Sequence, residues 1–296
     1  MKAIINKIIP FSSVDGPGNR TAIFFQGCNF DCAYCHNPET INRCIGCGAC
    51  IKVCPVEALE VVKNSGEIKQ KVVWNEEKCV ACDECIKICK HYSTPKTKEM
   101  TVEEVLSQIK KYSMFIQGIT VSGGECSLQL GFIKELFKEV KKMGLTTFMD
   151  TNGYIPLWKD KELLDVMDKA MIDIKSINPD EHLKLVGKEN YTVIENLKEL
   201  GKRGKVFEIR TVVVPKLLQN ENTINEASKI VAVIEKGIKL NSNLDINKDG
   251  IRYKIIKYRN LGVRDGRVNS CTPTEDYMDK LKKIAENNGC LDIITV

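Results

Sequence analysis

The amino-acid sequence predicts an α/β protein built on a parallel sheet, with a small cysteine-rich module set into it. Six short β-type runs alternate with amphipathic helical segments, which is the pattern of a parallel sheet covered by helices. Polar residues and glycines follow each run, where parallel α/β folds gather their chemistry. Eleven of the 14 cysteines fall into three tight groups, leaving Cys126, Cys271 and Cys290 outside them. A chain of 296 residues has room for one large α/β domain plus an inserted module.

The expected strands lie near 22–27, 118–122, 146–150, 170–174, 206–214 and 252–258. Between them, "TVEEVLSQIKKY", "FIKELFKEVKKMG" and "KELLDVMDKA" repeat apolar residues at helical spacing. Thr101 followed by Glu104 forms a capping box for the first of these. A last helix near 274–288 leads into a terminal strand in "LDIITV". Six such units fit either a partial (β/α) barrel or an open doubly wound sheet.

Composition is that of an ordinary globular protein, with 43% hydrophobic and 28% charged residues. A net charge of +5 over this length argues for neither a nucleic-acid nor a membrane partner. No apolar run reaches 18 residues, so a transmembrane helix is not expected. The first residues, "MKAIINKIIPFSSVDGPG", lack a cleavable apolar leader and read as the start of a mature cytoplasmic protein.

Cysteines two and three residues apart suit metal or cluster ligation better than disulfides across a fold. "CIGCGACIKVCP" and "CVACDECIKICK" repeat the pattern C-x2-C-x2-C-x3-C at an offset of 35 residues. Between them, "ALEVV" and "KVVWN" flank the turn-like "NSGE". Helix, hairpin and helix with this pattern is similar to a bacterial two-cluster ferredoxin, in which the fourth cysteine of each run ligates the other cluster. That resemblance assigns Cys44, Cys47, Cys50 and Cys89 to one [4Fe-4S] cluster, and Cys79, Cys82, Cys85 and Cys54 to another. Paired zinc knuckles would leave the fourth cysteine of each run unexplained. Pro55 follows Cys54 as in ferredoxins, whereas Lys90 follows Cys89.

The remaining group, Cys28, Cys32 and Cys35 in "FQGCNFDCAYCHNP", has only three members. A four-iron cluster held by three cysteines keeps one iron open for a small ligand. With Tyr34 before the last cysteine, the motif resembles the radical S-adenosylmethionine superfamily. The resemblance implies a partial (β/α)6 TIM-like barrel with S-adenosylmethionine (SAM) bound at the open iron. One electron then cleaves SAM to methionine and a 5′-deoxyadenosyl radical. The pair Gly123–Gly124 in "SGGE" would let backbone approach the methionine part of the ligand.

"SSVDGPGNR", "CHNP" and "SGGE" together are similar to the glycyl-radical-enzyme activating enzymes, and most of all to the YjjW-type subgroup with its ferredoxin-like insert. This implies a barrel of residues 1–39 and 98–296, an insert of 40–97, and a partner glycyl-radical enzyme whose backbone glycine loses a hydrogen atom. It also implies reduced flavodoxin or ferredoxin as electron donor. A monomer is the default.

In the family pattern, Tyr34, Cys35 and His36 border SAM, Gly124 lies against its amino group, and Glu125 and Asn152 belong to the same binding loops. Asp150, Thr151, Met171 and Asp173 match residues around a monovalent cation (sodium or potassium). Ile174, Lys175 and Ser176 flank the ligand, with Lys175 in contact. Asp15, His36 and Arg210 face the incoming glycine loop. Arg259 replaces the usual histidine after the last strand, and its guanidinium can reach the ligand carboxylate or ribose.

Other residues read as structural. Cys126 is a packed thiol, His91 and His182 are surface residues, Trp74 and Trp158 pack, and Asp150 and Asp173 taken alone would be strand-end caps. Two other functions fit less. A radical peptide- or protein-maturing enzyme carries auxiliary cysteines after the barrel, where only Cys271 and Cys290 lie. A ferredoxin-type electron carrier would leave about 200 residues without a role.

Overall fold

Apolar runs that read as separate strands in the sequence join one nine-stranded sheet, in a computed structural model that describes residues 1–63 and 70–296. The strands are β1 (Lys2–Ser12), β2 (Arg20–Phe25), β3 (Leu59–Lys63), β4 (Gln70–Trp74), β5 (Lys98–Thr101), β6 (Gly118–Gly123), β7 (Thr146–Thr151), β8 (Lys169–Asp173), β9 (Val206–Val213), β10 (Arg252–Lys257) and β11 (Asp292–Thr295). The helices are α1 (Glu84–Lys87), α2 (Val102–Lys110), α3 (Leu130–Lys142), α4 (Lys161–Val166), α5 (Pro179–Val186), α6 (Tyr191–Lys202), α7 (Asn220–Leu240), α8 (Ile246–Asp249) and α9 (Glu275–Asn287).

The sheet runs β11-β10-β9-β8-β7-β6-β2-β1-β5. From β2 to β11 every neighbouring pair is parallel and follows chain order. A doubly wound sheet would reverse its order at a switch point. None occurs among the described residues, and β5 and β11 stay unpaired with each other, so the architecture is a partial (β/α) barrel. Each crossover carries a helix whose apolar face closes on one continuous core.

All six expected strands form, and Thr101 and Glu104 make the capping box in both directions. Two strands were not expected. β1 and β5 add an antiparallel edge, with Ile5 opposite Phe25 and Lys2 opposite Thr101. Asn6, Lys7 and Pro10 interrupt the apolar run of β1 and hide its strand character. The third helix stops at Val166, short of the expected Ala170, because β8 begins at Lys169.

Residues 40–97 hold the antiparallel β3–β4 hairpin over a small separate core of Cys50, Leu59, Val72 and Cys85. The expected turn "NSGE" (64–67) lies outside the described residues. The two expected helices are reduced to one 3-10 turn, Ile51–Val53, and the four-residue α1.

At the opposite end of the barrel from the cysteine triad, Arg20 is fully buried. Its guanidinium donates to the Thr120 hydroxyl at 2.8 Å, the Thr146 hydroxyl at 2.9 Å and the Ile119 carbonyl at 2.6 Å. It also lies 4.0 Å over the Phe148 ring. Burial lowers its pKa to about 10. This polar knot ties β2, β6 and β7 together below the site.

Candidate active site

The triad loop leaves β2 and hangs on the end of α5. Asp31 N–H donates to the Val186 carbonyl and Ala33 N–H to the Leu185 carbonyl, both at 3.0 Å. Carbonyls in the last turn of a helix lack intrahelical partners, so the loop supplies the missing donors. Gly187, at φ +78, closes the helix in the left-handed conformation. The Cys28 N–H donates to the Ile41 carbonyl at 2.8 Å, and Phe30 N–H approaches the Cys28 Sγ at 3.4 Å.

Burial pushes the Cys28 thiol up to about 12 and the Cys32 thiol up to about 11, and raises Cys35 as well. Negative charge on any one of the three would raise the others further. Sulfurs so placed become thiolates only beside a strong local positive charge, which an iron cluster supplies. Beside them the Tyr34 hydroxyl is buried without a hydrogen-bond partner. The donor set therefore fits a cluster.

The glycine pair packs against the protein's own backbone. A Cβ on Gly124 would lie 2.4 Å from the Gly27 carbonyl oxygen and 2.7 Å from that of Thr40. On Gly123, at φ +129, it would lie 2.2 Å from the Phe25 oxygen. The room is filled by the protein's own backbone. Gly124 N–H donates to Phe25 O at 3.0 Å and Glu125 N–H to Gly27 O at 2.7 Å, so the pair zips the β6 end onto the start of the triad loop.

Glu125 is also turned into the protein. Its Oε1 accepts from the Thr151 hydroxyl at 2.7 Å and Ser127 N–H at 2.9 Å, and its Oε2 from Asn152 N–H at 2.7 Å. Asn152 Nδ2 in turn donates to Asn29 Oδ1 at 2.8 Å. Glu125 thus joins β7 to the triad loop. Cys126 is buried, with its thiol donating to the Asp150 carbonyl at 3.2 Å.

Further round the barrel mouth, charges are paired across strands. Asp150 Oδ2 accepts from the Ser122 hydroxyl and from Arg210 Nη1, each at 3.0 Å. Arg210 Nε meets Glu208 at 2.5 Å and its Nη2 faces the Met171 Sδ at 3.1 Å. Burial raises the Asp150 carboxyl while Arg210 pulls it down. Asp173 pairs with Lys175 Nζ at 2.8 Å, and that ammonium lies 5.5 Å over the Tyr34 ring. Burial alone would lower Lys175, but Asp173, Tyr34 and Cys32 together hold it well above the ordinary lysine value. Of the four residues expected around a monovalent cation, Asp150 and Asp173 pair with Arg210 and Lys175, Met171 faces Arg210, and the Thr151 hydroxyl donates to Glu125.

Ile174 and Ser176 are buried beside Lys175, and the Ser176 hydroxyl donates to Glu181 at 2.6 Å. Asp15 accepts from the Ser12 hydroxyl at 2.5 Å and is among the charges acting on Asp150. His36 Nε2 meets the Arg259 carbonyl at 2.8 Å, so the chain after β10 closes over "CHNP". A Cβ on Gly262 would lie 2.4 Å from the His36 carbonyl oxygen, which shows how tightly the two segments approach. The Arg259 side chain itself is exposed.

A profile of the Radical SAM superfamily matches residues 22–227, well over half of the chain. The chain belongs to the radical SAM superfamily. The enzymes of that superfamily carry a [4Fe-4S] cluster and use SAM, which agrees with the half-buried triad. Among its relatives is the pyruvate formate-lyase 1-activating enzyme of Escherichia coli K12, 28% identical over 97% of this chain and 98% of that protein. The indoleacetate decarboxylase activating enzyme of Tractidigestivibacter scatoligenes is 29% identical over 99% of this chain and 98% of that protein. The benzylsuccinate synthase activating enzyme of Thauera aromatica is 32% identical over 72% and 69%. Streptococcus suis SuiB bound to S-adenosylmethionine shares the fold, with a TM-score of 0.55, 12% identity, and coverage of 92% of this chain and 48% of that one.

Two residues of this radical SAM site escaped the sequence reading. Arg264 donates to the Cys32 carbonyl at 2.7 Å, pairs with Asp31 at 2.5 Å and stacks over Tyr92 at 4.8 Å. It stands in the strand-end stretch "KYRNLGVR", where Arg259 drew attention first. His182, expected at the surface, is fully buried. Its ring meets Phe30 edge-on at 5.5 Å, and Nδ1 donates to the Lys188 carbonyl at 2.7 Å. With Leu185 and Val186 it forms an i, i+3, i+4 stripe, the signal that marks the buried face of α5.

Away from the barrel mouth, two cavities flank the hairpin. One, of about 270 Å³, is lined by Cys44, Cys47, Cys50 and Cys89 among others. The other, smaller, is lined by Cys54, Cys79, Cys82 and Cys85. Cys85 also reaches the edge of the first. Among the described residues, no three His, Cys, Asp or Glu side chains converge where a single metal ion could sit.

Proposed function

We propose that this chain is a glycyl-radical-enzyme activating enzyme carrying three [4Fe-4S] clusters. The observation that carries the proposal is the half-buried three-cysteine loop at the mouth of a barrel, in a chain matched over nearly its whole length by proteins named as activating enzymes. Residues 1–39 and 98–296 form the catalytic barrel, and residues 40–97 an inserted unit for the two further clusters.

Cys28, Cys32 and Cys35 would hold a four-iron cluster, which would supply the electron for reductive cleavage of SAM. In the net reaction SAM becomes methionine and 5′-deoxyadenosine, and a backbone glycine of the partner enzyme loses one Cα hydrogen atom. Reduced flavodoxin or ferredoxin is the electron donor in this reading, and the enzyme acts as a monomer.

The chain's own residues orient and enclose the reactants. Tyr34 and His36 border the ligand, and the zipped Gly123–Gly124 backbone fixes the height of the β6 loop beside it. Lys175, held by Asp173, presents a charged donor to the ligand. Ile174 and Ser176 form the wall, and Asn152 anchors the triad loop through Asn29. Asp15, Arg210 and the His36–Arg259 closure line the path for the glycine loop. Arg210 and Lys175 are the charges that balance Asp150 and Asp173. A monovalent cation enters among Asp150, Thr151, Met171 and Asp173 only if those two side chains give way.

One feature supports the insert assignment. Each cavity is lined by the four cysteines that the crossed ferredoxin pairing joins.

The test is anaerobic reconstitution with iron and sulfide, followed by reduction and addition of SAM. Three four-iron clusters give about twelve irons per chain, with 5′-deoxyadenosine formed. Replacing Cys32 and Cys35 by alanine should abolish the nucleoside and about a third of the iron. About eight irons in the unaltered chain and no nucleoside would overturn the reading.

A further inference from the structure

Each insert cavity contains one buried hydrogen-bond donor with no oxygen or nitrogen acceptor in the protein. In the cavity of Cys44, Cys47, Cys50 and Cys89 it is the Ser93 hydroxyl, on a residue only 1% exposed. In the cavity of Cys54, Cys79, Cys82 and Cys85 it is the Trp74 indole Nε1–H, turned toward the Cys79 side chain. Both groups are fixed in place. Trp74 is the last residue of β4, pairs with Leu59 across the hairpin and carries the Lys98 ammonium 5.7 Å over its ring. Ser93 sits where the chain crosses back toward the barrel, next to Tyr92, whose carbonyl accepts from Asn42 N–H at 3.1 Å.

An orphaned buried donor costs free energy comparable to a lost hydrogen bond, and native proteins rarely keep one without a reason. Two such donors, one per cysteine-lined cavity, have the same explanation. Sulfur in a bound cluster accepts hydrogen bonds, and each bond stabilises the more negative, reduced state. The surroundings otherwise differ. Ile45, Ala49, Val72 and Ile88 make the first cavity largely apolar, whereas the second has the Lys96 ammonium on its wall, offset by Asp83 at 2.6 Å.

Building on the three-cluster reading, we propose that Ser93 and Trp74 are positioning residues, each donating a hydrogen bond to sulfur of a different insert cluster and raising that cluster's reduction potential. Through them the insert sets the two potentials independently. The two side chains touch neither SAM nor the glycine loop.

The experiment is an anaerobic redox titration of the full-length reconstituted protein, followed by electron paramagnetic resonance, with iron counted for each variant. The triad cluster is marked by the change that SAM makes in its signal. Ser93→Ala should move one insert cluster to a more negative midpoint, and Trp74→Phe should move the other, with iron content unchanged. Ser93→Thr, which keeps the hydroxyl, should restore the original potential. Each cluster in the unaltered protein should also show a weak proton coupling that exchanges in deuterated water, absent from the matching variant. Unchanged potentials at full iron content would overturn the inference while leaving the clusters in place. A parallel shift of both clusters in either variant would also overturn it, because that reports a general loosening. If Ser93→Ala or Trp74→Phe loses iron, the exchangeable coupling in the unaltered protein decides, and its absence overturns the inference. About four irons in the unaltered chain would remove the three-cluster reading, and this inference with it.

Discussion

Arg210 on β9 holds its guanidinium 3.0 Å from the Asp150 carboxylate on β7, reaching across Met171 of the strand between them. The same guanidinium meets Glu208 at 2.5 Å, and all three side chains are largely buried. One planar fork therefore satisfies two carboxylates, a task that a lysine ammonium performs poorly. Removing it leaves two buried carboxylates without a counter-charge. Arg210→Met should destabilise the fold by about 3–5 kcal/mol, and Arg210→Lys by less. Anaerobic thermal melts of the reconstituted variants check this, and an Arg210→Met protein as stable as the parent would refute the pairing.

Gly124→Ala tests the zipper between β6 and the triad loop. Its Cβ would stand 2.4 Å from one backbone oxygen and 2.7 Å from another, and backbone cannot rotate away as a side chain can. The triad loop should shift and bind its cluster poorly, while the insert, packed on a separate core, keeps its own. The expected outcome is loss of about a third of the iron, together with the change that SAM makes in the spectrum. Full iron content with SAM binding intact would show that the loop tolerates the methyl group.

The barrel was legible because six apolar runs and their helices are local patterns, and so was the triad, whose spacing is written in neighbouring residues. The choice between barrel and doubly wound sheet needed the strand order, which depends on contacts between distant segments. The antiparallel edge of β1 and β5 was hidden by Asn6, Lys7 and Pro10. The packing of Gly27 and Thr40 on the glycine pair was not legible, since they approach it only in three dimensions. His182 was misjudged as exposed because a histidine between aspartate, glutamate and lysine looks polar until Leu185 and Val186 are counted with it. Arg264 could not be ranked above Arg259 without seeing which of the two turns toward Cys32.

His182 predicts a pH dependence of stability. Burial lowers its pKa below the ordinary imidazole value of 6.5, so the folded state binds fewer protons than the unfolded state near that pH. Its contribution is present above 6.5 and is lost as pH falls below 6.5 toward the depressed folded value. His182→Asn keeps a donor for the Lys188 carbonyl and cannot titrate. Melting temperatures measured between pH 7.5 and 5 should fall more steeply for the parent than for the variant. Parallel curves would mean that the buried ring does not titrate with unfolding.

Glu125→Gln isolates the staple between β6 and β7. The carboxylate accepts three hydrogen bonds, two at Oε1 and one at Oε2, and has no donor to give. A glutamine amide can serve the Oε1 position with its oxygen, but its NH2 then faces the Asn152 N–H. Two buried donors in contact should cost about 1–3 kcal/mol. Asn152 also holds Asn29 of the triad loop at 2.8 Å, so the strain should reach the catalytic cluster. The variant should melt lower, and its triad should lose iron on chelator challenge faster than the parent. Equal stability with unchanged iron retention would show that Glu125 does not join the two strands.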